Sequence, residues 1–87
     1  MDASPSTEAK AKIAHAERRI AKLRKNDFGL GSHADLHEAE RTLQSARELA
    51  GQERYVDAIV AAELAESQMS IAAREAVDRV MAGVMVA

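Results

Sequence analysis

Through the second half of the chain, Tyr55, Ala58, Ala62, Ala65, Met69, Ala72 and Ala76 recur at alternating spacings of 3 and 4. A mean repeat near 3.5 keeps one stripe of a helix turned toward a neighbour, and alanine lets two backbones approach closely. The same spacing occurs twice upstream, in Ile13, Ala16, Ile20 and Leu23 and in Leu36, Ala39, Leu43, Ala46 and Ala50. Polar and charged residues fill the positions between. The pattern predicts an all-α chain of three amphipathic helices in an up-down-up arrangement, forming a single domain over residues 1–87.

Capping residues set the boundaries. Ser4 followed by Pro5 suits the start of a helix at about 5–25, since a serine hydroxyl accepts from the first free N–H groups and proline is tolerated at the first helical position. Asn26 to Gly31 holds two glycines and turn-forming residues, and Phe28 and Leu30 are expected to fold back over the bundle end. Ser32 with Asp35 three residues on reads as an aspartate variant of the capping box, opening a helix at about 33–50. Gly51 then stands where a left-handed helix cap is expected. The last helix is expected at about 53–81, about 43 Å long against about 27 Å for the second, so that its end overhangs its neighbour. The uncharged tail 82–87 contains Gly83, which weakens helix, and reads as a frayed end or a sticky end for self-association.

On a helical wheel the third helix carries a second apolar face, Val60, Leu64 and Ile71, nearly opposite the seam. Two arrangements fit. Either the first helix covers one face and the second covers the other, or Val60, Leu64 and Ile71, continued by Val80, Val84 and Met85, meet another copy or a partner protein. The second arrangement predicts a protein partner or self-association, with a homodimer as the simplest closed form.

Composition sharpens the need for a neighbour. Nineteen of the 87 residues are alanine, Phe28 and Tyr55 are the only aromatics, and there is no cysteine. A chain this short buries a smaller share of its surface than a larger one would, and neither a disulfide nor a thiolate metal site can compensate. No segment approaches the roughly 20 apolar residues that span a bilayer, and residues 1–7 lack the basic-then-apolar layout of a signal peptide. The chain as it stands is therefore expected to be soluble.

The run Leu49-Ala50-Gly51-Gln52-Glu53-Arg54-Tyr55-Val56-Asp57-Ala58-Ile59, followed by Ala62 and Ala65, resembles the turn and second helix of a tetratricopeptide-type hairpin. In that hairpin a tyrosine packs under the turn and alanines seat the facing helix. Residues 34–76 also resemble an alanine-rich bacterial domain of unknown function found in cell-envelope lipoproteins beside peptidoglycan-binding modules. Ala14, Ile20, Leu36, Ala39, Leu43, Ala46, Tyr55, Ala58, Ala65 and Ala72 fall where its pattern has small or apolar residues. The resemblance implies a tetratricopeptide-like hairpin from the last two helices and a scaffold or adaptor role. It also implies a place in the periplasm or envelope if an export signal precedes the chain, and otherwise in the cytoplasm. The chain departs from these patterns in having one hairpin, no first-helix tryptophan, no closing proline and no lipobox cysteine.

Catalytic patterning is missing. His33 and His37 lie four apart on one helix face but make only two ligands, and Ala34 stands where a zincin helix carries its catalytic glutamate. His15 reads as surface. Glu38, Glu40, Glu48, Glu53, Asp57, Glu63, Glu66 and Glu75 are spread along helices that also carry arginine, as on salt-bridged helical surfaces. With no phosphate-cradling glycine loop and no nucleophile paired with a base, neither enzyme activity nor a cofactor or metal is expected.

Charge is segregated along the chain. Residues 8–27 carry seven Lys or Arg against three acids, and residues 28–87 carry five arginines against ten acids. A basic first helix beside two acidic ones compensates internally. As an alternative function, Arg18, Arg19, Lys22, Arg24 and Lys25 form an anion-binding face for nucleic acid in a small regulatory protein, since clustered cations gain affinity by counterion release. No aromatic lies among them to stack on bases, and the acidic hairpin would repel phosphate, so nucleic acid is the less favoured partner.

Overall fold

The computed structural model describes residues 4–25 and 33–85, with side chains described over 4–25 and 36–75. Three helices form the chain: α1 (Pro5–Lys25), α2 (His33–Gly51) and α3 (Tyr55–Met85). They pack on one another with no strand among the described residues, which establishes the all-α three-helix arrangement. Side-chain pairs give the directions. Lys12–Glu63, His15–Glu66 and Arg19–Ser70 rise together along α1 and α3, so these two helices run parallel. Glu17–Arg47 and Arg24–Glu40 run in opposite senses, so α2 is antiparallel to α1.

The three stripes meet in one core. Ala9, Ile13, Ala16 and Ile20 of α1, Ala39, Leu43 and Ala46 of α2, and Ala58, Ala62, Ala65, Met69 and Ala72 of α3 are buried. Leu23, Leu36, Leu49, Ala50 and Tyr55 pack around them, as do Ile59 and Ala61. Ala61 lies off the seam on the wheel, yet it sits against the core. Leu43 and Met69 are the largest fully buried side chains. Burial of such a side chain contributes about 1.5–3 kcal/mol, so a core built mainly of alanine methyls leans on close helix approach more than on volume.

The helix ends explain two differences from the expected boundaries. Ser4 caps α1 as its sequence suggests: its Oγ accepts from the Thr7 N–H at 3.3 Å, and its carbonyl accepts from Glu8 at 3.0 Å. At the α2–α3 turn the expectation of a left-handed Gly51 is corrected. Gly51 is helical, and the positive φ falls on Glu53 at 62°. There the Arg54 N–H reaches the Leu49 carbonyl at 2.9 Å and the Glu53 N–H reaches that of Ala50 at 3.0 Å, the paired bonds of a Schellman cap centred on Glu53. The third helix accordingly starts at Tyr55, not Glu53, and it continues to Met85 through Gly83, where an end near Met81 was expected. At 31 residues it is about 46 Å long, against about 28 Å for the 19 residues of α2. The 51-residue offset of the α1–α3 pairs puts the end of α1 level with about residue 76, so the last turns of α3 run past the end of α1. Phe28, Leu30 and the Ser32 cap lie outside the described residues.

Candidate interaction surface

Three exposed helix faces are on offer, and they differ in chemistry. The outside of α2 presents His37, Glu38, Arg41, Gln44, Ser45, Arg47 and Glu48, all polar. Thr42 and Ser45 turn back to bond the carbonyls of Glu38 and Arg41, as hydroxyls on a solvated helix do. His37 is 3.8 Å from Glu40 on the same helix. His33 has no described side chain, and among the described residues no group of three His, Cys, Asp or Glu could hold a metal ion.

On the outside of α3 the picture reverses. Val56, Val60, Leu64 and Ile71 are 66%, 59%, 52% and 55% exposed. The arrangement in which one neighbour covers this face is thereby corrected: α1 and α2 both pack on the seam side, because both need the alanine stripe for close approach. Val56 belongs to the face as well. Its spacing of four before Val60 is visible in the sequence, though the seam starting at Tyr55 draws attention away from it. Val80, Val84 and Met85 lie on the helical backbone of α3, and their side chains fall outside the description.

The basic residues of α1 divide in two. Arg19 reaches across to α3, where it bonds the Glu66 carboxylate and carbonyl at 3.4 Å each and the Ser70 hydroxyl at 2.7 Å. Arg24 pairs with Glu40, and Lys12 with Glu63 at 2.9 Å. Internal compensation therefore takes up these three cations. Arg18, Lys22 and Lys25 are exposed, with no ion pair to another described residue. Of the five proposed for anion binding, Arg19 and Arg24 are thus already paired with Glu66 of α3 and Glu40 of α2, and the other three stand without such a pair among the described residues.

The Glu66 carboxylate accepts from His15 Nδ1 at 3.1 Å, and His15 is 63% exposed, so it is a surface residue with a partner. Beside it an open groove of about 460 Å³ runs between α1 and α3, lined by Glu8, Ala11, Lys12, His15, Arg18 and Glu66. Mixed charges and shallow walls suit a contact with another surface more than enclosure of a small molecule.

No known protein family, curated protein or solved structure matches the chain. No helix of the described residues is long and apolar enough to cross a membrane.

Proposed function

We propose that this chain is a noncatalytic interaction or scaffold module whose working surface is the outer face of α3. The observation that carries the reading is the row of Val56, Val60, Leu64 and Ile71, each more than half exposed on a helix whose opposite side already supplies the core. Four apolar side chains aligned on one face in a chain this small have no part in holding the three helices together. Such a patch is characteristic of a binding surface. A scaffold role in the cell envelope belongs to this proposal as the setting that the sequence pattern of residues 34–76 would imply.

Changing Val60, Leu64 and Ile71 together to polar residues separates binding from folding. The triple variant should keep its helical circular dichroism and melt within a few degrees of the parent, since exposed substitutions usually change stability by about 0.5 kcal/mol or less each. It should also lose most of the parent's enhancement of an apolar fluorescent dye. An unfolded triple variant would make the face part of the fold, and a parent that fails to bind the dye would leave no sticky surface to explain.

A further inference from the structure

We propose that the occupant of the α3 outer face is the same face of a second copy of this chain, laid antiparallel on it about a two-fold axis that passes between Leu64 and Ser67. The inference rests on the reading of that face as a binding surface and adds the identity of what binds.

The order of residues along the face selects the occupant. Asp57, Val60, Leu64, Ser67, Ile71 and Arg74 follow one another at spacings of 3, 4, 3, 4 and 3, and all six are exposed. Such spacing makes a stripe that packs along one other helix, as in the buried seam on the opposite side. The stripe ends in an acid at one end and a base at the other. Turned end for end and set against itself with Leu64 opposite Ser67, it brings Val60 to Ile71 and Asp57 to Arg74. The two-fold makes each of these contacts twice. Bulky Leu64 lies over small Ser67, and the aliphatic stem of Arg74 lies along Val56 with its guanidinium at Asp57. Outside the stripe, Arg54, which bonds Asp57 of its own copy at 2.8 Å, comes beside Glu75 of the second copy. That internal pair is exposed on both sides and weakly held, so Asp57 can take a second cation.

Other pairings of the same two faces match less well. A parallel pair would set Asp57 on Asp57 and Arg74 on Arg74, and like charges so placed oppose association. Sliding the antiparallel pair by one seven-residue repeat brings Leu64 against Arg74 in one direction and Ile71 against Glu53 in the other. Within each copy α1 and α2 both pack on the seam side of α3, so neither stands in the way of the approach. The contact runs from Arg54 to Glu75, about 30 Å of helix. A single helix pair of that length makes a small interface, which gives a weak dimer that depends on concentration.

Sedimentation equilibrium of the full chain over about a hundredfold range of concentration tests this, with circular dichroism confirming that each variant is folded. The parent should pass from monomer to dimer, and Leu64→Glu, which enters the contact twice, should weaken the dimer at least about tenfold. Asp57→Arg and Arg74→Asp should each weaken it about threefold or more at low salt, because each sets like charges together at both ends, and added salt should narrow that loss. Combining the two substitutions in one chain should restore association, and so should mixing the two single variants. A dimer that Leu64→Glu disrupts but the single charge changes leave intact would overturn the antiparallel register. A dimer indifferent to Leu64→Glu would show that the copies meet elsewhere and overturn the proposal outright. A parent that stays monomeric throughout yet binds the apolar dye would overturn self-pairing while leaving the face standing for another protein, whereas a dilute parent that binds no dye would remove the binding surface itself.

Discussion

Leu43 on α2 and Leu64 on α3 are the same side chain on antiparallel neighbours, one 1% exposed and the other 52%. Around Leu43 everything that faces outward on its helix is polar, so α2 spends its apolar residues once. Around Leu64 lie Val56, Val60 and Ile71, a second apolar row on a helix that already gives Ala58, Ala62, Ala65, Met69 and Ala72 to the core. The fold consumes one stripe per helix, and what exceeds that on α3 is available for contact with something else. A wheel drawn from sequence shows both stripes of α3 but cannot tell which one the bundle takes. The packing decides it: the alanine stripe admits two close neighbours, while the valine and leucine row would hold them apart.

Truncating each leucine breaks the comparison most directly. Leu43→Ala removes one of the two largest fully buried side chains from an alanine-rich core with little else to collapse into the space. The expected loss is about 2–5 kcal/mol. Leu64→Ala should change stability by about 0.5 kcal/mol or less. Urea unfolding of the two variants beside the parent measures both. Equal midpoints would mean that Leu64 is covered in the folded chain and that the two sides of α3 are alike.

A smaller effect belongs to the turn joining the compared helices, and it marks where sequence reading fell short. The stripes were legible because 3,4 spacing survives translation into packing: of the three that were read, every described position is buried or packed on the core. Ala9 escaped notice although it continues the α1 repeat four residues before Ile13, because an alanine carries no size signal, and Ala61, which faces off the seam on the wheel, packs on the core all the same. The helix cap escaped for another reason. Glycine is the residue that best accepts a left-handed backbone, yet the turn needs three residues after Gly51 to bring Tyr55 onto the seam, and the positive φ falls on Glu53 instead. A side chain there is strained by about 1–2 kcal/mol, while helical Gly51 gives up about 0.5–1 kcal/mol relative to alanine. Glu53→Gly and Gly51→Ala should therefore each stabilise the chain, by about 1 kcal/mol and by somewhat less. At Gly51 an added Cβ meets no atom within 4 Å. Their melting temperatures should rise separately and add when combined, and a fall for Glu53→Gly would place the left-handed residue elsewhere.

The smallest effect concerns the α1-side border of the exposed row, where Lys12 bonds Glu63 at 2.9 Å. That hydrogen bond, and then the charge of Glu63, raise the Lys12 pKa above its usual 10.5, helped by Glu8 and Glu66 and opposed by partial loss of hydration. A group whose pKa is higher in the folded state holds its proton more tightly there, so its contribution to stability is complete below 10.5 and disappears as pH climbs through the raised value. The melting temperature of the parent should thus exceed that of Lys12→Met by a small margin at neutral pH, and the two curves should converge in alkali. Salt should narrow the gap at neutral pH, as expected for an exposed pair. Since the Lys12–Glu63 bond ties α1 to α3, Leu43→Ala on α2 should lower both curves equally without moving their point of convergence. A gap that persisted unchanged above the lysine range would show that the aliphatic stem of Lys12 stabilises the α1–α3 contact and the ion pair does not.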